Sequence, residues 1–302
     1  MWPIPLWGVI LLVQLAVPLG LDSFLPVPAG NPLTPEKVRL GRELFFDRRL
    51  SRDGSVACAT CHDPKHAFTD RRPIAVGVFE RKGKRRVPSI VNRGYGKSFF
   101  WDGRAATLEE QVLKPIQSPE EMDLTIDEAA SRAGTTPRGL AQALASYVRT
   151  ILAGGAAYDR YVAGDRQALS GDERRGLEVF RGKANCISCH LGPNLTDERF
   201  HNTGVAWRDG RFDDDGRFAV TGREPDRGAF KTPTLREAGA RAPYMHDGSM
   251  ATLEEVVDFY DRGGNRNPNL DSELHPLGLS GEEKRALLAF LGALSGVVRE
   301  GF

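Results

Sequence analysis

All four cysteines of the 302-residue chain fall in two copies of one pattern, Cys58-Ala-Thr-Cys61-His62 and Cys186-Ile-Ser-Cys189-His190. Two thiols three residues apart share one turn of helix and can add to the two vinyl groups of one haem, while the adjacent imidazole is placed to reach the iron. A zinc site would need a second CxxC pair for each metal, and a thioredoxin-like dithiol does not need the histidine. Two copies, each followed by histidine, therefore point to two covalently bound haem c groups. Cys58, Cys61, Cys186 and Cys189 are the expected attachment points, with His62 and His190 as proximal iron ligands. No cysteine remains for a disulfide.

The elements that position these groups are themselves duplicated. Gly41-Arg-Glu-Leu-Phe45 returns as Gly176-Leu-Glu-Val-Phe180 on amphipathic helical patterns leading into each CxxCH, and Phe68-Thr69-Asp70 returns after it as Leu195-Thr196-Asp197. Pro88 and Pro233 open matching stretches that reach Asp102-Gly103 and Asp247-Gly248 fourteen residues later, and residues 102–112 align without gaps to 247–257. The expected fold is all-α, with two similar helical domains at residues 30–165 and 166–302, each built around one covalent haem, and a boundary near the glycine-rich stretch 154–164. Thr34-Pro35 marks a helix start; Thr107 with Glu110, Ser170 with Glu173, Thr252 with Glu255 and Ser280 with Glu283 read as capping boxes. No series of alternating strands is apparent. Long loops rich in Gly, Pro and Arg separate the helices, which suits a core completed by a large prosthetic group.

Composition sets outer bounds. The chain is 40% hydrophobic and 27% charged, ordinary for a globular protein, and 41 Lys plus Arg against 40 Asp plus Glu give a net charge of +1, too balanced for general nucleic-acid binding. Residues 1–29 read as a signal peptide or anchor: the run from Trp2 to Leu21 is apolar apart from Gln14, with Val27-Pro28-Ala29 as the best cleavage candidate. Left uncleaved, the run approaches the roughly 20 residues that span a bilayer and could tether the protein. The folded part is expected in the periplasm.

The chain resembles the bacterial dihaem cytochrome c peroxidase and MauG superfamily over nearly all of its mature length. The two CxxCH sites, Phe99-Phe-Trp-Asp-Gly-Arg104 and Ala242-Pro-Tyr-Met-His-Asp-Gly248 carry the resemblance. It implies two cytochrome-c-like domains, with a peroxidatic haem in the N-terminal one and an electron-transfer haem in the C-terminal one. It also implies a distal carboxylate at Glu121, a distal amide at Gln111 and an aromatic bridge between haems at Trp101. A carboxylate held above the haem can move a proton between the two peroxide oxygens.

Thirteen residues after Asp247 stands Tyr260; thirteen after Asp102 stands Pro115, which cannot bind iron. The resemblance places a Met or Tyr ligand of the second haem at the first position, so Tyr260 is the expected sixth ligand and the first haem is left open to peroxide. A packed core aromatic is the alternative for Tyr260, and Met245, Met250 and His246 are competing ligands. These align with Phe100, Ala105 and Trp101, so the repeat does not favour them.

Two departures from the family pattern matter. Many members carry, after the first haem site, a histidine that blocks the peroxidatic iron until the other haem is reduced; here Val78 stands in that place, and the enzyme is expected to be active as oxidised. The family's interdomain calcium is doubtful, because Arg86 and Arg241 stand where its ligands belong and a guanidinium repels a cation.

Three functions follow. The first is a periplasmic peroxidase that reduces hydrogen peroxide with electrons from a small cytochrome c or cupredoxin. The second is a MauG-like maturase oxidising side chains of a partner protein, weakened by Ala184 where a surface Trp is called for. The third is a dihaem electron carrier, with Met122 on the first iron. The basic run Arg81, Lys82, Lys84, Arg85 and Arg86 reads as a solvated loop or a docking site for an acidic donor.

Overall fold

The computed structural model describes residues 15–302, so most of the expected export segment, from Trp2 to Gln14, lies outside the described residues. Among the described residues the helices are α1 (Pro35–Phe45), α2 (Cys58–Cys61), α3 (Leu108–Gln111), α4 (Lys114–Gln117), α5 (Ile126–Arg132), α6 (Pro137–Arg149), α7 (Ala157–Val162), α8 (Gly171–Arg181), α9 (Phe218–Thr221), α10 (Leu253–Asp261) and α11 (Gly281–Gly292). None is long and apolar enough to cross a membrane. Strands are minimal: three antiparallel ribbons pair β1 (Leu152–Gly154) with β6 (Val297–Arg299), β2 (Phe200–His201) with β5 (Phe230–Lys231), and β3 (Trp207–Arg208) with β4 (Arg211–Phe212).

Helix starts follow the cap chemistry only in part. Ser170 and Ser280 form reciprocal capping boxes with Glu173 and Glu283. Thr107 and Thr252 do accept from the amides of Glu110 and Glu255, at 3.1 and 3.2 Å. Their glutamates, however, accept from Ala106 and Ala251, one residue before the cap. Two of the four expected capping boxes are therefore displaced by one residue, because the chain arrives from a tight bridge, Phe99 to Ala105 or Tyr244 to Met250, that brings the earlier amide within reach. A further reciprocal box, Thr125 with Glu128, starts α5.

Two hydrophobic cores form. The first gathers side chains between Val38 and Ala153 around α1 and α6, and the second gathers side chains between Leu169 and Leu294 around α8 and α11, with Ala157, Tyr158 and Tyr161 of α7 packed against the second. The sequence repeat is repeated in packing. A Cβ on Gly41 would stand 1.9 Å from the carbonyl oxygen of Ala143, and one on Gly176 would stand 1.9 Å from that of Ala286, so each helix pair crosses at a bare glycine. Phe45 meets Tyr147 with ring centroids 5.1 Å apart, and Phe180 meets Phe290 at the same separation.

The β1–β6 ribbon ties the halves together and sets Gly154 opposite Val297. Counting from Tyr147 and Phe290, these are equivalent positions of the two copies. Residues just before the folded body also dock on it: the carbonyls of Leu19, Gly20 and Asp22 accept from Gly155 N, Arg236 Nη2 and Tyr95 Oη at 2.8, 2.7 and 2.7 Å.

Candidate functional site

One CxxCH follows α1 and the other follows α8, each after an intervening loop. Cys58 and Cys61 lie on α2, whereas Cys186 to Ser188 form a single 3-10 turn entered through Asn185 in the left-handed region, so the second pair is wound more tightly than one turn of α-helix. His62 Nδ1 stands 3.0 Å from the carbonyl oxygen of Phe68, and His190 Nδ1 stands 3.1 Å from that of Leu195. A carbonyl only accepts, so Nδ1 carries the proton in both rings and Nε2 keeps its lone pair. Burial holds both imidazoles below the usual histidine range, His190 at about 4, and so neutral. Both are thus oriented and protonated as metal ligands require.

The carbonyls used belong to equivalent residues, each in the left-handed region, with φ of 53° at Phe68 and 51° at Leu195. The next residue in each copy fixes the loop: Thr69 Oγ1 donates to Val87 at 2.6 Å and Thr196 Oγ1 to Thr232 at 2.7 Å.

A cavity of about 1190 Å³ opens over the first CxxCH, larger than the roughly 300–1,000 Å³ of an ordinary small-ligand pocket. Cys58, Cys61 and His62 form part of its wall together with Trp101, Gln111, Pro115 and Glu121, so these seven residues border one space, whereas Val78 is not part of its lining. Burial pushes the thiols of Cys58 and Cys61 up to about 12 and 11. A large, mostly apolar space walled by two neutral thiols and a correctly protonated imidazole fits haem c.

Burial raises the Glu121 carboxyl above the ordinary carboxylate range, and Arg104 opposes that rise. Arg104 is in turn held by Asp102 at 2.9 Å and stacks 3.6 Å from the Phe100 ring centroid. Sequence reasoning did not single out Arg104, although it closes the quoted Phe-Phe-Trp-Asp-Gly-Arg motif. Val78 is fully buried, and its amide donates to the Glu121 carbonyl at 2.9 Å. A Cβ on the preceding Gly77 would stand 2.2 Å from the carbonyl oxygen of Glu120, so this loop lies tight against the Glu121 segment. His66 is committed to the carbonyl of Ala242, 3.0 Å from its Nε2.

In the second half, Tyr260 lies on α10. Burial raises its phenol well above the tyrosine range, and the Cys186 and Cys189 thiols close by add to that rise. The competing residues Met245 and His246 face the first cavity, His246 being stacked on Phe230 with centroids 3.6 Å apart, and Met250 borders a smaller pocket beside Phe259. His201 has both ring nitrogens taken by carboxylates, Asp271 at 2.6 Å and Asp197 at 2.9 Å, and Asp271, the neighbouring Cys189 sulfur and Asp197 together raise its pKa to about 11. A charged imidazole with no free nitrogen is not an iron ligand. Two of the five residues of the basic run are ion-paired: Arg81 with Asp123 at 2.9 Å, and Arg85 with Asp102 and Asp214 at 2.6 and 2.7 Å.

Two c-type haem sites in one mainly helical chain define a dihaem oxidoreductase. The chain belongs to the di-haem cytochrome c peroxidase family, whose model matches residues 35–167. It is 42% identical over 290 residues to the methylamine utilization protein MauG of Methylorubrum extorquens, covering 89% of this chain and 81% of that protein. It is 33% identical over 294 residues to the cytochrome c551 peroxidase of Nitrosomonas europaea, covering 91% and 84%. Among solved structures, a MauG-like protein associated with microbial copper homeostasis superposes with a TM-score of 0.83 at 35% identity, covering 92% of this chain and 94% of that one. The protein is accordingly an enzyme with two haem c cofactors.

Proposed function

We propose that the protein is a periplasmic dihaem peroxidase that reduces hydrogen peroxide to water with electrons from a small cytochrome c or cupredoxin. Its units are residues 30–165, which hold the peroxidatic haem through Cys58, Cys61 and His62, and residues 166–302, which hold the electron-transfer haem through Cys186, Cys189, His190 and Tyr260. The observation that carries the reading is Glu121, a carboxyl of raised pKa facing the same cavity as the first CxxCH. Haem c held there by Cys58, Cys61 and His62 would supply one-electron redox chemistry.

The chain's own residues do the rest. Glu121 takes the proton from one oxygen of hydrogen peroxide and returns it to the other, so that the O–O bond breaks with water as the leaving group; two electrons and two further protons complete two waters. Gln111 orients the peroxide from the same wall. Pro115 and Val78 supply no donor to the iron, so the site needs no prior reduction. Trp101 carries charge between the halves. Steady-state peroxide turnover with a reduced cytochrome c or cupredoxin is the direct test, and its absence would remove the peroxidase reading.

Tyr260 favours a second reading. A phenolate is a hard anionic donor that stabilises oxidised iron, so the second haem would hold an oxidising equivalent and not store electrons. That property suits a MauG-like maturase acting on a side chain of a partner protein. Ala184, buried in the second core, offers no surface exit for the hole at that position. Oxidation of a protein substrate by peroxide, without an added electron donor, would select this reading.

A further inference from the structure

Arg86 and Arg241 meet where the two halves join. Arg86 Nη2 donates to the carbonyl oxygens of Arg241 at 2.7 Å and Asp70 at 3.1 Å, and its Nη1 donates to Val87 at 2.9 Å. Arg241 Nη2 donates to the carbonyl of Thr234. These acceptors are all neutral, and the Nε of each guanidinium is buried without a partner. The acids that act on the pair are committed elsewhere: Asp70 pairs with Arg72 at 2.6 Å, and Glu237 accepts from Gly296 N at 2.7 Å. Burial lowers both arginines to about 10, and for Arg241 the neighbouring Arg86 adds to the fall. Two adjacent cations, Arg86 buried and Arg241 half-buried, each with a buried orphan donor, lack a counter-anion, and leaving such groups uncompensated is costly. Both side chains belong to the wall of the cavity that contains Cys58, Cys61 and His62.

We propose that Arg86 and Arg241 form a receptor for a propionate carboxylate of the haem in this cavity. The assignment rests on the placement of the first haem given above. Guanidinium N–H groups match carboxylate oxygens in planar, charge-assisted pairs, and the haem brings its own carboxylates into the space where the charge is missing. The pair thereby makes a divalent cation unnecessary at the boundary: the positive charge is supplied covalently, by the chain.

The test uses the holoprotein. Arg86→Gln and Arg241→Gln are compared with wild type at equal haem content by redox titration and by the resonance-Raman bending band of the haem propionates. The expected result is a fall in the midpoint potential of one haem, because an unneutralised carboxylate stabilises the ferric state, together with a shift of its propionate band. Added phosphate should restore neither, and chelation of divalent cations should change neither in wild type. Potentials and bands like those of wild type in both variants would overturn the proposal. So would restoration by phosphate, which would reveal a free anion, or sensitivity to chelation. Should the glutamine variants fail to load haem, Arg86→Lys keeps the charge and loses the planar fork, and only a shifted band supports the proposal. Removal of Cys58 and Cys61 separates the two layers: persistence of the arginine-sensitive band without the first haem would show the haem placement wrong and not only the receptor.

Discussion

The indole Nε1 of Trp101 donates to the carbonyl oxygen of Arg86 at 2.8 Å, which pins the ring in the wall of the first cavity at the join between the halves. The backbone around it is exchanged symmetrically. Arg86 N donates to His246 O, and Lys231 N donates to Trp101 O, each at 2.8 Å. Arg86 is the repeat equivalent of Lys231, and Trp101 of His246, so one bond is made twice across the pseudo-symmetric boundary. A half-buried indole held by Arg86, on a residue whose backbone is tied to the other half, is suited to pass charge between them. Replacing Trp101 by Phe should leave haem content unchanged and lower peroxide turnover by about tenfold or more, a rise of at least ~1.4 kcal/mol in the barrier. Unchanged turnover would reduce Trp101 to packing.

The two CxxCH sites should load independently. Replacing Cys58 and Cys61 by Ala should give a protein with one haem per chain, and so should replacing Cys186 and Cys189, as counted by pyridine haemochrome. The first variant should lose reaction with peroxide while the second retains peroxide binding. A wild-type count of one haem would defeat the account of both halves.

Glu121→Gln removes the proton carrier and keeps the shape. Turnover should fall by about 10²–10⁴-fold. Because burial raises the Glu121 carboxyl, it becomes protonated at a higher pH than an ordinary glutamate near ~4.3. The base form is the active one, so wild-type turnover should be lost on acidification at a pH above that value. The acid limb should vanish in Glu121→Gln. An identical pH profile in the variant would place the proton transfer elsewhere.

Tyr260 distinguishes the branches of the chemistry. Burial keeps its phenol protonated well beyond neutral pH, so a phenolate forms there only beside a compensating cation. Tyr260→Phe should change the ferric spectrum of the second haem and raise its potential. Identical wild-type and Tyr260→Phe spectra would show a packed aromatic, with the ligand to be sought at Met245, Met250 or His246.

Local spacing made the haem chemistry legible, because two thiols and a histidine within five residues define their ligand without reference to the rest of the chain. The duplication was legible for the same reason, and it carried through to Gly41 and Gly176 in the two helix crossings. Pairing across the boundary was not. Arg93 binds Glu198 at 2.6 and 3.0 Å from opposite halves and, although burial alone would raise it, helps hold that carboxyl at about 2. The buried Lys231, lowered to about 7, lies 3.6 Å from the same carboxylate. Nothing in the spacing of an isolated Lys or Glu indicates such burial, since it is created by docking one copy on the other. The displaced capping boxes of Thr107 and Thr252 have a similar origin, in a bridge formed by residues outside the cap motif.

The central claim, an open first haem facing Glu121 with Val78 and Pro115 unable to close it, is tested most directly by electron paramagnetic resonance of the fully oxidised protein before and after adding hydrogen peroxide. The account predicts one high-spin and one low-spin ferric haem, with the high-spin signal lost on peroxide addition without any prior reduction. Two low-spin signals that ignore peroxide until an electron is supplied would contradict it.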